Sequence, residues 1–132
     1  MNRKTASISI LVLYLISVLT LCLIRPESIP EIEKDFLFGI PTDKVAHFLM
    51  FLPFPILTTI SLTNDRMGIM SKISLLAIFS IMGVGFAFGT EVLQEVTKYR
   101  SREIADVIAD LAGIATGSII AAVYLIFKKR NS

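Results

Sequence analysis

Apolar residues along this chain gather into four long runs, and each run is ended by charges, prolines or a short polar turn. The first covers about residues 6–24 and is closed by Arg25-Pro26, a charge followed by a helix breaker. The second covers 44–62 and holds Pro53 and Pro55, which remove two backbone donors and predict a bend. After Thr63-Asn64-Asp65-Arg66 comes a third run over 70–94, with Gly83, Gly85 and Gly89. The fourth, over 104–127, stops at Lys128-Lys129-Arg130. A helix needs about 20 apolar residues to cross a bilayer, so the pattern predicts an all-α polytopic membrane protein, with four transmembrane helices in an up-down bundle. Short connections use the remaining residues, which leaves one domain over 1–132.

Composition agrees with lipid as the solvent: 54% of the residues are hydrophobic and the mean hydropathy is +0.72, too apolar for a domain that must coat itself with polar groups. The longest connection, 25–43, carries Pro26, Pro30 and Pro41 among Glu27, Glu31, Glu33 and Asp35, which predicts an exposed acidic loop with a turn near Phe36-Leu37-Phe38. The first run is longer than the core of a signal peptide and lacks a small-x-small cleavage site, so it reads as a retained anchor. Leu21 before Cys22 fits a lipoprotein cleavage box poorly. Cys22 is the sole cysteine, which excludes an internal disulfide and a thiol metal site. The 13 basic residues form no run able to track a nucleic-acid backbone, so no nucleic-acid partner is expected.

Four spans bring both ends of the chain to one side. That side holds Arg3, Lys4, Arg66, Lys72, Lys128, Lys129 and Arg130, while the other basic residues are mixed with acidic ones. The positive-inside tendency then places both ends in the cytoplasm.

The same folding brings the start of the second span, the end of the third and the start of the fourth to the opposite face, and there ionisable residues enter the helices. Asp43, Lys44 and His47 share one helical face by spacing. Glu91 and Gln94 are three apart, and Asp106 and Asp110 four apart. A charge at the bilayer centre costs about 2.5–3.5 kcal/mol on insertion scales, so such groups turn inward and find partners. Those expected for Glu91 and Asp110 are Lys44, His47 and Arg100. Ala109, Gly113, Gly117 and Ala121 form a small-residue stripe on the fourth span, expected to meet the Gly83, Ala87, Glu91 and Gln94 face of the third.

Three chemistries fit this set. Paired charges that fix helix register need no substrate. A binding or catalytic pocket would use His47, Glu91 and Asp106 for proton transfer. Asp43, Lys44, Gln94, Arg100, Ser101 and Asp110 would then hold the ligand, with Lys44 and Arg100 suited to phosphate and Ser101 a weak nucleophile. A proton or ion path is the third. One His among carboxylates is poor in nitrogen and suits a hard divalent ion better than zinc. No metal ligand or cofactor is assigned, and metalloproteases needing two His are excluded.

Asp43-Lys44-Val45-Ala46-His47-Phe48, Glu91-Val92-Leu93-Gln94, and Arg100-Ser101 followed by Asp106-Val107-Ile108-Ala109-Asp110 and Gly113 resemble the VanZ-like family in order and spacing over residues 43–117. These are small bacterial membrane proteins, named for a member associated with teicoplanin resistance. The family pattern has Asn where this chain has Asp110, and the added carboxylate calls for a proton or a cation. The resemblance implies a multi-pass envelope protein whose outward polar pocket meets a glycopeptide antibiotic or an amphiphilic envelope ligand. A membrane enzyme acting on a lipid-linked phosphate, and a structural or assembly protein without a ligand, stay open beside it.

Overall fold

The computed structural model describes residues 2–23, 36–37, 40–96 and 104–130. Helix α1 (Arg3–Leu23) is followed by strands β1 (Phe36–Leu37) and β2 (Ile40–Pro41), then α2 (Thr42–Phe51), α3 (Pro53–Leu62), α4 (Ile69–Val96) and α5 (Ile104–Arg130). The strands pair antiparallel, Phe36 opposite Pro41 and Leu37 opposite Ile40, directly before α2. Of the expected turn near Phe36, Phe38 lies outside the described residues, as do the acidic residues 27–35.

Among the described residues, four stretches are long and apolar enough to cross a membrane: Arg3–Cys22, Lys44–Leu62, Ile69–Val96 and Ile104–Arg130. The second joins α2 and α3. At 1.5 Å per residue α4 is about 42 Å long, more than the roughly 30 Å hydrocarbon layer, so polar residues can occupy its ends. The burial pattern is that of a chain in lipid: Leu13, Ile81 and Ile108 are exposed, while Glu91 and Asp110 are buried.

Side-chain contacts fix the up-down order. Ser61 Oγ donates to Ser7 O at 3.0 Å, joining the end of α3 to the start of α1. Lys128 pairs with Asp65 at 3.0 Å, which sets the α3–α4 turn beside the end of α5. The Lys128 hydrogen bond draws the exposed Asp65 carboxyl below its ordinary pKa. At the far end, Gln94 Nε2 donates to Cys22 O at 3.1 Å, joining the ends of α4 and α1.

The prolines interrupt the second span. Pro53 and Pro55 cannot donate to the carbonyls of Leu49 and Phe51, and the span breaks at Leu52 between α2 and α3. Leu52 itself stays helical in backbone angle, with its N–H still on Phe48 O at 3.1 Å. Beside the break, the Tyr14 hydroxyl of α1 donates to Met50 O.

Part of the small-residue stripe meets a different neighbour from the one expected, while Ala121 packs with Leu76 of α4. Gly113 and Gly117 pack against the α2–α3 break and not against the small face of α4. A Cβ at Gly113 would strike Phe48 O, and one at Gly117 would strike Leu52 O, with Pro55 Cδ at 3.1 Å. Gly83 of α4 likewise receives α3, since its Cβ would lie 2.8 Å from the Phe54 ring. The carbonyls of Phe48 and Leu52 lie where a Cβ would sit on Gly113 and Gly117, so the end of α2 docks onto glycines. α4 and α5 also touch, through Ser80 Oγ and Ser118 Oγ at 2.7 Å.

Candidate functional site

The polar side chains collect at the end of the bundle where α2 and α5 begin and α4 ends. Asp106 sits in the first turn of α5, where unpaired backbone N–H groups and the helix dipole favour a carboxylate. One of its oxygens, Oδ1, accepts from Lys44 Nζ, which comes from the first turns of α2. One turn deeper, His47 Nδ1 lies 2.8 Å from Asp110 Oδ1. With Asp110 ionised the carboxylate can only accept, and Nδ1 then carries the proton of this contact.

That contact fixes the imidazole. With Nδ1 turned to Asp110, Nε2 turns the other way, 3.7 Å from Asp106 Oδ2. Glu91 approaches from α4: one ligand atom each from His47, Glu91 and Asp106 all lie within 4.8 Å of one another. The cluster is dry, with His47, Glu91, Asp106 and Asp110 no more than 3% exposed. Asp110 Oδ2 is buried without a hydrogen-bond partner among the described residues.

Close packing holds the parts in place. Gly113 lies one turn beyond Ala109 and lets α2 reach the surface of α5. His47 precedes Phe48, whose carbonyl rests at Gly113. Behind the cluster, Phe51 and Ala87 pack with Val18, Cys22 and Ile114 in a common apolar core.

The structure thus brings together Lys44, His47, Glu91, Asp106 and Asp110 from three spans. Gln94 is buried near them, with its amide on the last turn of α1. The backbone of Asp43 lies in α2, but its side chain is outside what is described, and so are Arg100 and Ser101 altogether. Lys44 pairs with Asp106, a pairing that helical spacing alone did not single out. Tyr14 was missed as well. Its position in an apolar run gave no sign that its hydroxyl would serve the α2–α3 break.

The sequence profile named VanZ/LLP1 matches residues 7–127, which takes in most of the first and fourth spans, all of the second and third, and the whole cluster. The chain belongs to the VanZ/LLP1 family. No curated protein and no solved structure matches it. As a VanZ/LLP1 protein it is a multi-pass membrane protein, and its Asp110 contacts His47 at 2.8 Å.

Proposed function

We propose that this chain is a cell-envelope protein of the bacterial cytoplasmic membrane, and that its buried cluster takes the polar headgroup of an amphiphile such as a lipid-linked phosphate. The observation that carries this reading is the convergence of Lys44, His47, Glu91, Asp106 and Asp110 at one membrane end of the bundle. Four ionisable groups held dry beside Lys44 are costly within a membrane bundle, and a polar ligand reached from the lipid gives them a use. Lys44, with its side chain 14% exposed, is the more accessible member and would meet the headgroup first. A whole glycopeptide is too bulky to enter a cluster this closed, which favours a headgroup over the intact antibiotic. The Asp110–His47 contact supports a second reading, acid/base turnover of the bound headgroup, because a carboxylate that fixes the imidazole tautomer is what proton transfer requires.

Replacing Glu91 by Gln keeps shape and removes charge. The variant is expected to fold, with a melting midpoint in detergent close to wild type, and to lose the stabilisation that a polyprenyl phosphate gives the wild-type protein. A polyprenol of the same length, lacking phosphate, should stabilise neither. Glycopeptide susceptibility of cells carrying the variant, measured alongside, links binding to phenotype. A variant that melts early yet responds normally to the phosphate would make the cluster a register-fixing network instead.

For an envelope ligand the cluster must face outward. Reporter fusions after Asn64 and at the C-terminus are expected to read cytoplasm, and one at Glu33 the outside. The arrangement that supports this is the basic end of the bundle, where Arg3, Lys72 and Lys128 lie opposite the cluster. The reverse pattern would turn the cluster inward and remove the envelope ligand.

A further inference from the structure

We propose that His47, Glu91 and Asp106 bind a divalent cation of the harder kind, manganese or magnesium before zinc, with Asp110 holding His47 in register for it. The His47 Nε2 to Asp106 Oδ2 distance, 3.7 Å, is too long for a hydrogen bond and close to the gap between two ligands of one ion. At bond lengths of about 2.1 Å, neighbouring ligand atoms sit about 3.0–3.4 Å apart and opposite ones about 4.2 Å apart. The three ligand atoms here already lie within 4.8 Å of one another, so small side-chain rotations complete the shell.

The second observation is the support behind the histidine. Metal-bound imidazoles commonly donate their other ring N–H to a carboxylate, which fixes the tautomer and raises the basicity of the ligating nitrogen. His47 has this arrangement, with Nδ1 on Asp110 at 2.8 Å and Nε2 on the side of Asp106 Oδ2 at 3.7 Å. Lys44 takes Oδ1 of Asp106 and leaves Oδ2 on the His47 side. Asp110 Oδ2 is fully buried and without a hydrogen-bond partner among the described residues, on the carboxylate whose other oxygen holds His47. One nitrogen among several carboxylate oxygens is a donor set for a hard cation. Such an ion would also give an acid-rich cluster the positive charge that a phosphate headgroup needs. Cation binding stands apart from the headgroup reading and is measured without any amphiphile present.

The test is titration of the full chain in detergent with Mn²⁺, following loss of the free-ion paramagnetic resonance signal, with Zn²⁺ and Mg²⁺ as competitors. Wild type is expected to bind one ion per chain and to melt at a higher temperature when loaded. Glu91→Gln and Asp106→Asn should abolish saturable binding. Asp110→Asn should weaken it about 10- to 100-fold, the effect typical of losing such a supporting contact. Asp65→Asn, at the other end of the bundle, should bind as wild type. A melting curve without metal confirms that each variant is folded. The loaded wild type's shift in midpoint tests the site even if a variant is not. No saturable Mn²⁺ binding by folded wild type, or binding undiminished in Glu91→Gln, would overturn the assignment and leave protons and the chain's own cations to balance these carboxylates. Preference for Zn²⁺ over Mn²⁺ beyond the ordinary affinity order would overturn the choice of a hard cation.

Discussion

A Gly117→Ala protein is expected to lose about 3 kcal/mol of stability, the upper end of what overpacking usually costs, and to fold poorly in cells. The added methyl group would point at Leu52 O and also meet Leu52 C and Pro55 Cδ, both at 3.1 Å. A side chain in the way can rotate, whereas a carbonyl at the break of the second span moves only if that whole span backs off. Gly113→Ala should behave similarly, because its methyl would meet Phe48 O and Leu52 N, the acceptor and donor of the hydrogen bond that holds the last turn of α2. Backing off there would also carry His47 away from Asp110, so Gly113→Ala should weaken any ligand or ion at the cluster even in the fraction that folds. Gly83→Ala should cost less, since it meets only a phenylalanine ring and the tip of Ile114.

The internal control is Gly85→Ala or Gly89→Ala. A methyl at either has nothing within 4 Å, and alanine is favoured over glycine in a helix interior by about 1 kcal/mol. These variants should melt at or above the wild-type midpoint. Unfolding curves in detergent for the five proteins decide the matter: if Gly117→Ala melts with Gly85→Ala, the docking of the bend on α5 is wrong.

These contrasts mark the boundary of what the sequence reveals. The four spans were legible because apolar runs of this length have no other solvent than lipid, and the interruption of the second was legible from Pro53 and Pro55. The gathering of polar residues at one end followed from the up-down order. The neighbour of the Gly113-Gly117 stripe was not legible. Small residues at intervals of four announce a close approach without saying what approaches, and both the α4 face and the α2–α3 break were candidates. Lys44 could reach either Asp106 or Asp110 by helical spacing, and depth decides between them: Lys44 lies at the level of the first turn of α5, and His47 one turn deeper. Tyr14 carried no signal at all, because a hydroxyl in an apolar run finds its acceptor only through packing.

The His47–Asp110 pair gives the second large effect, and its sign depends on which partner is removed. His47→Leu is expected to cost about 3–5 kcal/mol, the usual penalty for leaving one member of a buried charged pair without the other. Asp110 is wholly buried and its Oδ1 has been shown only with His47, so leucine would strand a carboxylate in an apolar setting. Asp110→Asn should cost far less, on the order of 1 kcal/mol, because the amide oxygen still accepts from Nδ1 and only the charge assistance is lost. The combination is the informative protein. In the Asp110→Asn background His47→Leu strands a neutral amide, with a penalty of about 1–3 kcal/mol, so the double variant should be more stable than His47→Leu alone. Measured with a chelator present to keep any cation out, the four proteins form a cycle whose coupling should be about 2 kcal/mol. Additive losses would mean that the two side chains do not share a proton-bearing contact, and that Asp110 does not set the orientation of Nε2 toward Asp106. A coupling of the expected size would instead tie the extra carboxylate of this chain to the imidazole, as the group that sets which nitrogen faces the site.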